Sequence, residues 1–187
     1  MSDSRRRAHI AALVTLLVAV ALEALPLVGR AGATTPSAKP SPTNHSLLRS
    51  RLLWATVDVC DPPDQPDTIG IRGSMPGDGV AAELMYMRFR MQYHTLAGWT
   101  FVAANADSGW VQVGSARYRE RQAGDSFTFT PVAGQPAYRL RGLVEFRWTL
   151  RTKVVRHTML ISTRGHPSGS SGDPADYSTA SCVIGPA

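Results

Sequence analysis

Apolar and polar residues alternate along several stretches of the chain, and the clearest of these stretches is residues 84–94. One face of an extended strand would carry Met85, Met87, Phe89, Met91 and Tyr93. The opposite face would carry Arg88, Arg90, Gln92 and His94. Period two held over five apolar positions predicts a half-buried β-strand, since a helix would scatter the same residues around its circumference.

Residues 138–151 show the same alternation over a second long stretch. The apolar face would hold Tyr138, Leu140, Val144, Phe146, Trp148 and Leu150. The polar face would hold Arg139, Arg141, Glu145, Arg147 and Arg151. Gly142 falls in the apolar set, where a glycine indicates a bulge or a close approach to the backbone.

Shorter strands are predicted at 51–60, 69–74, 99–103, 110–113, 126–130 and 153–163. Segments rich in proline, glycine and aspartate separate them, and no amphipathic helix interrupts the series. About seven or eight strands at this spacing predict an all-β fold, an antiparallel β-sandwich of immunoglobulin-like type. A small closed β-barrel is the alternative, because strand number alone does not separate the two.

The N-terminal segment has the pattern of a signal peptide covering residues 1–33. Arg5–Arg7 precede an apolar run at residues 10–22 that is too short to cross a bilayer, and small residues follow at 31–33. We expect cleavage between Ala33 and Thr34, and therefore a secreted, extracytoplasmic protein with no transmembrane helix in its mature form. An uncleaved membrane anchor is the alternative. Residues 34–46 are a Pro/Ser/Thr-rich linker that we expect to be disordered, and 47–187 form a single β domain.

The chain contains two cysteines, Cys60 and Cys182. An exported compartment allows disulfides to persist, and two cysteines leave one intramolecular pairing. We therefore expect a Cys60–Cys182 bridge that ties the two ends of the β domain together. Free buried thiols or an intermolecular bond are the alternatives.

Basic residues exceed acidic ones, with a net charge of +6 over 187 residues. Loss of residues 1–33 would leave 16 basic and 12 acidic groups, a net charge of +4. If the two long strands are neighbours, their polar faces form one basic surface. This candidate anion-binding face consists of Arg88, Arg90, Arg139, Arg141, Arg147 and Arg151. Solvated arginines that cover apolar surface with their stems are the competing interpretation.

Several segments are distinctive when taken together: residues 60–77 (CDPPDQPDTIGIRGSMPG), 85–93, 108–124, 138–148 and 173–182. Together they resemble a group of exported proteins of actinobacteria. The resemblance covers nearly the whole mature domain and implies export and a small β domain. It implies no function.

Residues with metal-binding or catalytic chemistry form no recognisable motif. Asp61, Asp64 and Asp67 recur in a proline-rich loop, but their spacing is not that of a calcium loop, and turn chemistry explains them. The domain's histidines, His94, His157 and His166, lack the close spacing of metal ligands. We expect no catalytic residues, no metal and no cofactor.

The pattern as a whole favours a secreted, non-enzymatic binding or structural domain. Its partner would be an anionic polymer of the cell envelope or another exported protein, and not a nucleic acid. A protein-interaction module without a small ligand is one alternative, and an exposed apolar patch would indicate it. An extracytoplasmic hydrolase is the other, and it requires a histidine that meets both an acid and a nucleophile.

Overall fold

The computed structural model describes residues 44–186. The predicted signal peptide, its cleavage site at Ala33–Thr34 and most of the linker lie outside the described residues. The last three linker residues belong to a short helix, α1 (Asn44–Leu48), which places the side chain of Leu47 in the interior. No helix in the described part of the chain is long and apolar enough to cross a membrane.

Nine strands follow α1 within the described range. They are β1 (Trp54–Cys60), β2 (Thr68–Pro76), β3 (Glu83–Thr95), β4 (Gly98–Phe101), β5 (Val111–Ser115), β6 (Glu120–Thr128), β7 (Tyr138–Leu150), β8 (Lys153–Ile161) and β9 (Cys182–Ile184).

Two antiparallel sheets make up the fold. The small sheet has the order β1-β2-β6, and the large sheet has the order β4-β3-β7-β8, with β5 also pairing with β3 and β9 with β7. The predicted all-β, antiparallel immunoglobulin-like sandwich is confirmed, with nine strands in place of seven or eight. The strand β9 was not predicted, and β6 begins six residues earlier than expected.

The apolar faces of β3 and β7 form the centre of the core, as the alternation predicts. Met85, Met87 and Phe89 are fully buried, as are Phe146 and Trp148. The buried indole of Trp148 donates a hydrogen bond to the Pro76 carbonyl oxygen at 3.0 Å, so its polar atom is satisfied. Leu150 was predicted to face the core, and that prediction is wrong: it ends β7 and is 39% exposed.

Gly142 lies where β7 packs closely against β2 across the core. A Cβ at this position would lie 2.7 Å from Cγ2 of Ile71 on β2. The close approach predicted for Gly142 from its place in the apolar set is therefore confirmed. The glycine lets a buried isoleucine of the small sheet pack directly on the backbone of β7.

We expect Gly142→Ala to lower the free energy of unfolding by about 1–3 kcal/mol, because the added methyl group overpacks the core against Ile71. Gly169→Ala is the matched control, since the nearest atom to its added Cβ is 4.0 Å away in an exposed loop. Urea unfolding of both variants measures the difference. Equal stability of the two variants would contradict the proposed contact.

Residues 162–181 return along the small sheet to Cys182. Their backbone amides at Thr163, Asp173 and Thr179 donate to carbonyl oxygens of β1 at 2.8–2.9 Å. Arg72 of β2 donates to the His166 carbonyl oxygen of this return segment, which therefore lies against part of the outer side of β2, a strand buried along its whole length. The predicted Cys60–Cys182 disulfide is confirmed, with an S–S distance of 2.05 Å.

Candidate binding face

The outward face of the large sheet brings five of the six predicted arginines together. Strands β3 and β7 are direct neighbours, with Gln92 opposite Arg141, Arg88 opposite Glu145 and Tyr86 opposite Arg147. The condition on which the sequence-based surface depended, that the two long strands pair, is therefore met. The sixth arginine, Arg151, lies in the turn between β7 and β8 with a positive φ of 57°.

Arg88 and Arg90 are paired with two carboxylates. The Nε of Arg88 donates to Asp107 at 2.7 Å, and Nη1 of Arg90 donates to Glu145 at 3.5 Å. The hydrogen bonds from Arg88 hold the pKa of Asp107 below its usual value. The alternation of β3 predicts where these arginines lie, but Asp107, in the loop after β4, and Glu145 on β7 together neutralise them. Their charge contributes little to an anion site.

Arg139 and Arg141 lie over the indole of Trp99. The guanidinium carbon of Arg141 is 4.2 Å from the ring centroid, and that of Arg139 is 5.9 Å away. The Nε of Arg141 also donates to the side-chain oxygen of Gln92 at 2.9 Å. Both arginines are therefore held by an aromatic ring instead of a carboxylate.

Arg147 is placed between two aromatic residues. Its guanidinium carbon lies 4.0 Å from the ring centroid of Trp110 and 4.9 Å from that of Tyr86. Stacking of this kind orders the planar guanidinium while leaving N–H groups at its edge. Tyr86 lies on the same face of β3 as Arg88 and Arg90, because the three residues occupy alternate positions of the strand, so the alternation predicts its place. The positions of Trp99 and Trp110 on this face could not be predicted in the same way. Trp99 lies in a four-residue strand and Trp110 just before a five-residue strand, and the sequence does not show which strands these two pair with.

The three histidines of the domain lie in different places. The ring of His94 meets the edge of Trp99, and Nε2 of His157 lies 3.3 Å from Glu145. The ring of His166 stacks on Trp54 at 4.5 Å, and its Nε2 is 3.3 Å from the Thr163 hydroxyl. Burial and the neighbouring charge of Arg72 lower the pKa of His166. These contacts join one histidine to an acid and another to a hydroxyl group.

The proline-rich loop uses its aspartates as turn residues. Asp61 and Asp67 both have positive φ, and the carboxylate of Asp61 accepts the backbone N–H of Asp67 at 2.6 Å. Among the described residues, no group of three or more histidine, cysteine or acidic side chains is arranged to hold a metal ion.

A polar cleft of about 620 Å³ lies beside the return segment, between it and β6. Its floor is the ion pair of Arg72 with Asp58, whose Nε–Oδ2 distance is 3.0 Å. Arg72 also donates to Gln122 at 3.1 Å and to the His166 carbonyl oxygen at 2.6 Å. All three guanidinium nitrogens of Arg72 therefore donate hydrogen bonds within the protein. The bond to the His166 carbonyl oxygen attaches the return segment to β2. Sequence patterning missed the Asp58–Arg72 pair, because the two residues lie 14 positions apart and a linear pattern does not show that β1 and β2 are neighbours.

Comparisons with known proteins add little to this geometry. No protein-family model matches the chain, and no curated protein matches it. One solved structure that matches is a glycosyl hydrolase family 2 (GH2) member from Bacteroides cellulosilyticus DSM 14838, with 11% identity and a TM-score of 0.31. The match covers 64% of this chain and 16% of that chain, so this chain spans a small part of that protein's length. A TM-score this low carries no argument about function.

Proposed function

We propose that the protein is an exported, non-enzymatic binding domain that holds an anionic polymer of the cell envelope on the outward face of its large sheet. The binding residues are Arg139, Arg141 and Arg147 with the rings beneath them, Trp99, Trp110 and Tyr86. We call this set the stacked-arginine face. The signal-peptide pattern and the disulfide, a bond that persists in oxidising compartments, support the exported location.

The observation that carries the proposal is how these three guanidinium groups are held. Each lies within 6 Å of an aromatic ring centroid, and no described carboxylate forms an ion pair with any of them. A stacked guanidinium has lost much of its side-chain freedom before a ligand arrives, so binding costs less ordering entropy. Its remaining N–H groups match the geometry of carboxylate or phosphate oxygens.

Arg88 and Arg90 give an internal contrast on the same surface. Asp107 and Glu145 balance their charges, and their N–H groups are already engaged. The net positive charge of the sheet surface is therefore concentrated in the stacked-arginine face. A polymer with repeated negative charges would contact several of these guanidinium groups at once.

We expect the triple variant Arg139→Gln/Arg141→Gln/Arg147→Gln to bind polygalacturonate about 10- to 100-fold more weakly than the wild type. Three charge-assisted contacts on this partly exposed face, of about 0.5–1 kcal/mol each, give a loss of this size. Retention on immobilised polygalacturonate, eluted with a salt gradient, measures the change. Immobilised dextran, which is neutral, reports binding that does not depend on charge.

The matched control is Arg49→Gln/Arg119→Gln/Arg164→Gln, which removes the same charge from exposed positions elsewhere on the domain. We expect this control to elute close to the wild type. Equal weakening in the two triple variants would show that net charge alone drives retention. The absence of salt-sensitive retention of the wild type on any anionic polymer of the host's envelope would overturn the proposal.

A further inference from the structure

His157 lies beside the stacked-arginine face and has no part in the function proposed above. It is directly opposite Arg147 in the antiparallel ladder of β7 and β8. Directly opposed residues of such a ladder carry their side chains on the same side of the sheet. The side chain of His157 is 46% exposed, so the imidazole is a surface group next to one of the three binding arginines.

The indole of Trp110 contacts both of these residues. The guanidinium carbon of Arg147 lies 4.0 Å from the centroid of its ring, and the imidazole of His157 meets the ring edge-on, with 6.0 Å between the two ring centroids. Edge-to-face contacts of this kind are favourable and limit the freedom of both rings. A polymer that contacts Arg147 over Trp110 would therefore lie within reach of His157.

Two charged residues of β7 face the imidazole of His157. One is Arg147, directly opposite, and the other is Glu145, whose Oε2 lies 3.3 Å from Nε2 of the imidazole. The carboxylate of Glu145 is also 3.5 Å from Arg90 and 3.8 Å from Arg88, both on β3. Protonation of the imidazole would therefore bring a third positive group to a carboxylate that two arginines already share.

The charge of this part of the surface depends on whether the imidazole is protonated. Arg88 and Arg90 are balanced by the two carboxylates paired with them, so the cluster has no net charge while the imidazole is neutral. These carboxylates are Asp107, in the loop after β4, and Glu145. Histidine is the side chain whose charge ordinarily changes between about pH 5 and 8. A proton on His157 would leave the cluster with one net positive charge, next to the stacked-arginine face.

We propose that His157 is a further binding residue of the stacked-arginine face and that it contacts the polymer only when protonated, so that the domain holds an anionic polymer more tightly at mildly acidic pH. The inference rests on the proposed function, because it adds a fourth cation to the same surface. A protonated imidazole donates from both ring nitrogens. Its Nε2–H would stay with Glu145, and its Nδ1–H would donate to a carboxylate, sulfate or phosphate oxygen of the polymer.

His94 gives an internal contrast on the same surface. Its ring meets Trp99 edge-on, with 5.1 Å between ring centroids, much as the ring of His157 meets an indole. Arg139 and Arg141 lie over that same indole, and no described carboxylate forms an ion pair with His94. A proton on His94 would add a positive charge beside two others with no acid to balance it. We therefore expect His157, and not His94, to be responsible for the pH response.

Binding to immobilised dextran sulfate at about pH 7.5 and about pH 5.5 tests the inference. The sulfate groups of this probe stay ionised at both pH values, so only the protein changes its charge. We expect wild-type protein to bind about 2- to 5-fold more tightly at the lower pH, the effect of one added charge-assisted contact. His157→Gln should lose most of this difference, and the matched variant His94→Gln should keep it. His157→Lys, which is charged at both pH values, should bind at the higher pH as tightly as wild type does at the lower.

The possible outcomes separate this inference from the proposed function. Salt-sensitive binding of equal strength at the two pH values would overturn the role of His157 and leave the proposed function standing. The same holds if the pH response persists in His157→Gln, or if His94→Gln loses as much of it as His157→Gln does. Wild-type protein that shows no salt-sensitive binding at either pH would contradict both. Thermal unfolding at both pH values checks that each variant is folded.

Discussion

Replacing both Cys60 and Cys182 by alanine is expected to lower the free energy of unfolding by about 4–5 kcal/mol. The two cysteines are 122 residues apart, so the bridge closes nearly the whole described domain into one loop. Without it the unfolded chain gains the entropy of an open loop of that length. Both cysteines are replaced together, because a single substitution would leave a free thiol.

Urea unfolding at neutral pH measures this difference. Wild-type protein held under reducing conditions is the control, and its stability should match that of the double variant. A loss smaller than about 1 kcal/mol would mean that the unfolded chain stays compact without the bridge, since residual structure reduces the entropy that a disulfide removes.

Replacing Arg72 by methionine is expected to cost about 3–5 kcal/mol, because it leaves the buried Asp58 carboxylate without its partner. Asp58 and Arg72 are each 5% exposed, so water cannot readily replace the lost guanidinium. The His166 carbonyl oxygen loses its donor as well, which weakens the attachment of the return segment to β2. Urea unfolding again measures the change.

Two further variants distinguish the effect of breaking a buried ion pair from the effect of removing any positive charge. Arg90→Met removes an arginine from a half-exposed ion pair and should cost less than about 1 kcal/mol. Asp58→Leu/Arg72→Met removes both charges and should be more stable than Arg72→Met alone. If Arg90→Met and Arg72→Met cost the same, burial of the ion pair is not what stabilises this region.

The pH dependence of stability has a defined sign at this site. Burial raises the pKa of Asp58 above its usual value even though Arg72 opposes the shift. The folded state therefore holds this proton more tightly than the unfolded state does. The contribution of Asp58 to stability is largest below about pH 4 and falls as the pH rises toward the folded pKa. In Arg72→Met the fall should be larger, because the opposing charge is gone.

The sequence by itself determined which residues face the core on the long strands. The alternation of β3 and β7 reports burial on one side of a sheet, a property of each strand alone, so Met85–Met91 and Leu140–Trp148 could be assigned without partners. The cysteine count likewise left one intramolecular pairing. Gly142 was predicted to mark a bulge or a close approach because it interrupts an apolar series, and the structure shows the close approach.

Only the tertiary structure decided how distant segments meet. The polar start of β6 is a strand because β2 supplies its hydrogen bonds, and β9 exists because β7 and the disulfide hold three residues in place. The same holds for the arginines, whose face the alternation predicted and whose partners it did not. Asp107 and Glu145 neutralise two of them and aromatic rings hold three others, because segments far apart in sequence meet on one sheet. Period two records which side of a strand is buried, whereas charge pairing and stacking depend on neighbours that a linear pattern does not contain.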